Sequence, residues 1–184
     1  MNFDRTPENN EPCLLQLQVE LMTEAERLFG PRNNSKNILP PSWDEEGPHI
    51  RYTLDKNGAF AELSYNAKSD WRLATYQLAH EMVHLLDQHG GDRTHLLEEG
   101  AAVRFSLDMM KKYGFDSTGL PGLDSYKHAL CLFDLLGGNP YSIARDCRST
   151  CGSFISIDAK TLKSKCPELD DKLVAELLRR PVMR

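Results

Sequence analysis

His80-Glu81-Met82-Val83-His84 sets two imidazoles four residues apart with a carboxylate between them. On an α-helix a four-residue step is about one turn, so both rings leave the same face. Glu81, about 100° round from His80, can reach a water on a metal but not the metal itself. Imidazoles bind zinc well, and a carboxylate beside zinc-activated water is a general base, so the chemistry available is metal-assisted hydrolysis. A five-residue pattern needs a matching context. Residues 71–89 supply one: Trp71, Ala74, Leu78, Met82, Leu85 and Leu86 recur at three- and four-residue steps, with no Pro or Gly before Gly90-Gly91. That spacing predicts an amphipathic helix.

A catalytic zinc takes three protein ligands and keeps another position for water, so a third donor must come from elsewhere. The extended histidine pattern needs a Gly and then a His beyond His84, but Asp87 and Gly90 occupy those places and His89 misses by one. Asp92 lies in Gly91-Asp92-Arg93-Thr94, the wrong setting for an aspartate ligand. Glu98 and Glu99 remain, at the start of a second predicted helix. The Gly90-Gly91 turn lets that helix double back, so that a carboxylate on it can face the histidines. Neighbouring helical positions point about 100° apart, so the two glutamates cannot both aim at one metal in the same way.

HExxH followed about fifteen residues later by Leu97-Glu98-Glu99-Gly100-Ala101-Ala102 resembles the gluzincin metallopeptidases, and the short spacing resembles the small minigluzincins. The resemblance covers residues 48–110. It implies that Glu99, directly before a Gly, is the third ligand of one zinc ion per chain. Glu98 is then a first-turn carboxylate that suits the helix dipole. The implied activity is zinc-dependent peptide-bond hydrolysis, with Glu81 taking the proton of the attacking water and passing it to the leaving nitrogen. Related enzymes stabilise the oxyanion with a Tyr or His downstream of the third ligand. Tyr113, Tyr126, His128 and Tyr141 are available, and Tyr126 and His128 are the expected pair. Gluzincins often hold the first His with an Asp four residues beyond the ligand Glu. Val103 stands there, leaving Asp87, Asp108 or backbone carbonyls as substitutes. In the zincin arrangement the last strand before the metal helix borders the cleft. Residues 60–66 would then bind a peptide or protein substrate along a free edge, the alternative being an ordinary strand whose edge is covered.

The expected fold class is α+β: a compact zincin-like single domain over residues 12–184, with a small hairpin-bearing sheet packed on the metal helix and a helical C-terminal part. Residues 1–11 read as disordered, 13–29 as an amphipathic helix, and 30–48, rich in Pro, Asn and Gly, as a loop. The metal-site core spans 49–112. Within it 49–54 and 59–66 flank Asp55-Lys56-Asn57-Gly58, the signature of a β-hairpin. Residues 120–184 form the helical subdomain, with helices over 124–136, 140–147 and 168–180. Among the other histidines, His95 is expected in an exposed loop, His89 at the end of the metal helix, and His49 at a strand start without a partner.

With 184 residues the chain is too short for a two-lobed peptidase. A net charge of −5 argues against nucleic acid as a partner. No apolar run is long enough to span a membrane, and the polar start lacks a signal-peptide pattern. Five cysteines without paired CxxC spacing and without export read as reduced thiols, so a cytoplasmic protein is expected. Two alternatives share these features: a regulatory or effector zincin cutting one partner protein, and a non-enzymatic zincin-like binding module.

Overall fold

The strand that leads into the His80–His84 helix is the middle of the sheet. In a computed structural model, which describes residues 1–88 and 94–180, β4 (Gly58–Ser64) has neighbours on both sides. The first, β1 (Asn37–Ile38), pairs with it in parallel at Gly58 and Ala59, and β2 (Ser42–Asp44) does so at Glu62 to Ser64. Against the other edge, β3 (His49–Tyr52) runs antiparallel, with His49 opposite Glu62 and Tyr52 opposite Ala59. The expected hairpin therefore forms. The expected free edge at 60–66 does not, because the supposed loop at 30–48 contributes two short strands that cover it.

The hairpin turn departs in detail from the Asn-Gly expectation. Lys56, at φ 59°, takes the left-handed conformation. Gly58 serves close approach instead: a Cβ there would lie 2.8 Å from Thr53 Cγ2 and 2.9 Å from Leu39 Cδ1.

Seven α-helices accompany this sheet among the described residues. The first, α1 (Glu11–Phe29), buries Leu14, Leu17, Leu21, Ala25 and Phe29 along one stripe and stops at Gly30, whose φ is 91°. Residues 1–11, expected to be disordered, instead take a defined path. Phe3 packs on Trp71 and Phe115 at 4.9 and 5.2 Å between ring centroids, and the Trp71 indole donates to the Arg5 carbonyl. The apolar Phe3 and the Pro7–Asn9 turn anchor a segment whose polar composition hides them.

The helix that carries His80 and His84, α2 (Trp71–His84), is capped by Asp70, which accepts from the backbone N–H groups of Arg72 and Leu73. It is not amphipathic. Residues from Ala74 through Val83 are buried in an unbroken run, with α1, β4 and the following helix packed around them. It also ends earlier than 89. Leu85 to Asp87 form turns, and this segment is bound to the rest of the chain by Arg148, which donates to the carbonyls of Phe29, Gly30, Pro31 and Leu86 and to the Asp87 carboxylate. His89, the Gly90-Gly91 stop and Asp92 lie outside the described residues.

The next helix, α3 (Leu96–Lys112), packs along α2, and α4 (Asp124–Asp134) packs along α3. The contact between α3 and α4 requires glycine at 100: a Cβ there would collide with the Ala129 carbonyl oxygen and come within 2.7 Å of Phe133 Cβ. Beyond them lie α5 (Pro140–Cys151), α6 (Ala159–Lys165) and α7 (Asp171–Leu177). Thus α5 runs a turn longer than 140–147, and the helix expected over 168–180 is shorter and preceded by α6. That helix buries only Leu162 and so shows no apolar period. The architecture is α+β, and no helix among the described residues is long and apolar enough to cross a membrane.

Candidate metal centre

Two neighbouring helices bring three donors together. From α2 come His80 and His84; from the first turn of α3 comes Glu99. His80 Nε2 lies 3.1 Å from His84 Nε2 and 3.3 Å from Glu99 Oε2, and His84 Nε2 is 3.7 Å from Glu99 Oε1. One ligand atom from each of the three falls within 4.8 Å of the other two. A tetrahedral zinc with ligands at ~2.0–2.1 Å sets its donors about 3.3 Å apart, so these spacings suit one ion. Two imidazole nitrogens and a carboxylate oxygen are also a donor set that can hold zinc.

The adjacent glutamates divide their work as the 100° step requires. Glu98 Oε1 sits 2.8 Å from His84 Nδ1, the opposite ring nitrogen to the one that faces Glu99. A proton on Nδ1 donated to Glu98 leaves Nε2 free as a donor. Asp87 and Asp108, the expected substitutes for a carboxylate behind the histidines, are engaged elsewhere. Asp87 pairs with Arg148 at 2.7 Å and accepts from the Phe154 N–H, while Asp108 accepts from Tyr141 at 2.6 Å. Glu99 is itself held by Thr94, whose hydroxyl donates to Oε1.

Burial sets the electrostatics. Glu81 is 3% exposed, and loss of hydration raises its pKa, against the opposing pull of His80 and His84. Burial also raises Glu98, partly offset by the hydrogen bond with His84. For Glu99, burial works toward a higher value, but His84 and the bonds to both imidazoles overcome it and hold the carboxyl well below its usual range. His84 responds in the opposite sense: burial opposes its charge, yet Glu99 and Glu98 together raise its pKa well above 6.5. In the metal-free protein this cluster is therefore a carboxylate–imidazolium pair.

Of the expected oxyanion donors, only Tyr126 reaches this cluster. Its ring lies 5.1 Å from that of His80, and burial followed by the charges of Glu99 and Glu81 pushes its phenol pKa upward. His128 does not belong to the site. It faces outward, exposed, and pairs with Glu176 at 2.9 Å. Two residues along a helix is about 200° of rotation, so Tyr126 and His128 cannot share a face. Tyr113 donates to Glu20 at 2.8 Å and Tyr141 to Asp108, which removes both.

His95 is not in an exposed loop. It is buried just before α3, beside Phe154 and Arg180, and burial lowers its pKa to about 4. His49 does have a partner: its Nε2 is 2.8 Å from Glu62. Asp44, His49 and Glu62 form a second group with metal-ligand spacing, but Arg51 contributes its own cation there, 2.5 Å from Glu62 and 3.2 Å from Asp44. Two residues near the cluster have no place in the sequence reading: Thr94 belongs to no motif, and Tyr76 had a usable signal, lying four residues before His80 on the same helical face; Glu98, weighed there as a ligand or a helix-dipole carboxylate, instead partners His84. No protein-family model, curated protein or solved structure matches this chain.

Proposed function

We propose that this chain is a zinc-dependent metallopeptidase with a zincin-like arrangement of sheet and metal helix, in which His80, His84 and Glu99 hold the ion. The observation that carries this reading is the mutual approach of the three donor atoms, at 3.1, 3.3 and 3.7 Å, with Glu81 one position along the same helix. A zinc ion held there supplies Lewis acidity, drawing the pKa of water down toward about 7 and polarising a carbonyl. Glu81 accepts the proton released by the attacking water and returns it to the leaving nitrogen. Its burial makes the carboxylate more basic than one in solvent, which suits that task near neutral pH. Tyr126, half-buried beside His80, donates to the oxygen on which negative charge develops. Glu98 fixes the tautomer and orientation of His84.

The substrate surface moves with the sheet order. Both edges of β4 are covered, whereas β3 pairs only with β4 among the described residues. Its His49 end lies close enough to influence Glu81 and its Tyr52 end close enough to feel Glu98. An extended peptide or unfolded protein segment adding to the outer edge of β3 therefore passes the metal cluster. The same chemistry serves general peptide hydrolysis or the cutting of one partner protein. A binding module has no use for a buried carboxylate at Glu81, where it costs solvation and makes no side-chain hydrogen bond or ion pair among the described residues. The test is digestion of a peptide library read by mass spectrometry, for the wild type and Glu81→Gln. We expect the variant to keep its zinc and lose turnover. Equal cleavage by both would remove Glu81 from its role.

A further inference from the structure

Thr94 stands just before α3, at a helix start, where a threonine side chain commonly caps a backbone N–H. No side-chain cap forms there. The Thr94 hydroxyl donates instead to the side chain of Glu99, at Oε1. The backbone around it is fixed. His95 is 3% exposed and its carbonyl accepts from the Glu99 N–H at 3.0 Å, while the Leu96 N–H donates to the Arg179 carbonyl at 3.0 Å. A β-branched side chain on such a backbone has few rotamers open to it, so the hydroxyl is held in place for the carboxylate.

This bond makes the two oxygens of Glu99 unequal. Oε1 has Thr94 as its donor and lies 3.7 Å from His84 Nε2. Oε2 is buried without a hydrogen-bond partner and lies 3.3 Å from His80 Nε2. A bare, buried carboxylate oxygen is costly, and a cation shared with the imidazoles removes that cost. Among the described residues, the side chains that meet the Glu99 carboxylate are the two imidazoles and Thr94. Both imidazoles are ligands in the proposed site, so Thr94 is the partner left to orient Glu99 from behind.

We propose that Thr94 is a positioning residue for the metal: by holding Oε1 it keeps the bare Oε2 turned toward His80, as the oxygen offered to the ion. The inference rests on the metal-site reading and adds to it a residue that acts through a ligand alone. Without the hydroxyl the Glu99 carboxylate is free to turn onto His84, and metal binding must then break that contact.

The test is zinc affinity, measured by competition with a chromophoric chelator, for the wild type, Thr94→Val and Thr94→Ser, beside the melting temperature of each metal-free protein. Thr94→Val removes the hydroxyl and keeps the branched shape. We expect it to weaken zinc by about 10–100-fold, as loss of a partner behind a ligand does. Thr94→Ser keeps the donor and should recover most of that affinity. Wild-type zinc affinity in Thr94→Val would overturn the proposal, and a lowered melting temperature beside it would assign the hydroxyl to stability alone. A Thr94→Ser protein as weak as Thr94→Val would overturn it too, because the methyl group and not the hydroxyl would then matter. A wild type that takes up no zinc would overturn the metal reading itself, a result distinct from failure of Thr94 alone.

Discussion

Glu98 and His84 are joined at 2.8 Å through the ring nitrogen that points away from the metal cluster, so consecutive glutamates of one helix hold the two ends of a single imidazole. In the proposed site Glu98 acts behind the ligand and Glu99 as the ligand. Replacing Glu98 with Ala should therefore weaken zinc by about 10–100-fold without abolishing binding. Chelator competition measures this, and an affinity equal to the wild type would mean that His84 is oriented by packing alone.

Gly100 couples the ligand helix to Tyr126. The Cβ of Gly100→Ala would press on Ala129 and Phe133 and drive α4 away from α3. Overpacking of this kind costs about 1–3 kcal/mol, which outweighs the ~1 kcal/mol that Ala gains in helix propensity. Because α4 carries Tyr126 against His80, turnover should fall further than zinc affinity. His128→Ala, on the outer face, should leave both unchanged. Urea unfolding with parallel kinetics checks the pair of variants, and a more stable Gly100→Ala would refute the contact.

Arg148 and Asp87 form a buried ion pair, 6% and 5% exposed, immediately after the metal helix. Arg148→Met strands a buried carboxylate and takes the guanidinium donor from the carbonyls of Phe29, Gly30 and Pro31. Breaking such a pair costs about 3–5 kcal/mol. Denaturant midpoints decide this, and a loss below about 1 kcal/mol would show that the network contributes little.

The metal-free protein should lose stability as pH rises above 6.5. His84 has a folded pKa above its unfolded value of 6.5, so its contribution is complete below that value and disappears as pH climbs through the folded pKa. Glu81 and Glu98 act in the same direction, because burial raises both above 4.5 and ionising them destabilises the folded state. Glu99, depressed below 4.5, contributes above that value and is lost only in acid. Buried His95, held at about 4, opposes this trend below pH 6.5, so melting temperatures of the metal-free protein should fall with pH above 6.5, as pH climbs through the folded pKa of His84, while zinc should flatten the profile. A metal-free protein that gains stability over that range would contradict the charge arrangement.

His80, Glu81 and His84 were legible because their relationship is local: three positions on one helix need only its period. The hairpin was legible from two runs around Asn57-Gly58. By contrast, β1 and β2 span two and three residues and pair in parallel with a strand many residues later, so they carry no periodic signal. Without them a free and a covered edge at 60–66 stood as open alternatives. The all-round burial of α2 was hidden because apolar residues at three- and four-residue steps describe only one of its faces. The sequence restricted the third ligand to Glu98 or Glu99, but the choice depends on how α3 is rotated against α2, a tertiary property. His128, in contrast, could have been excluded from helical geometry alone.

The most direct measurement is metal content by mass spectrometry on protein purified without added metal, for the wild type, Glu98→Ala and Glu99→Ala. The account predicts about one zinc per wild-type chain, zinc reduced in occupancy but still taken up by Glu98→Ala, and none in Glu99→Ala. A wild type that is empty and remains empty on zinc titration, or a Glu99→Ala variant that binds zinc as the wild type does, would contradict it.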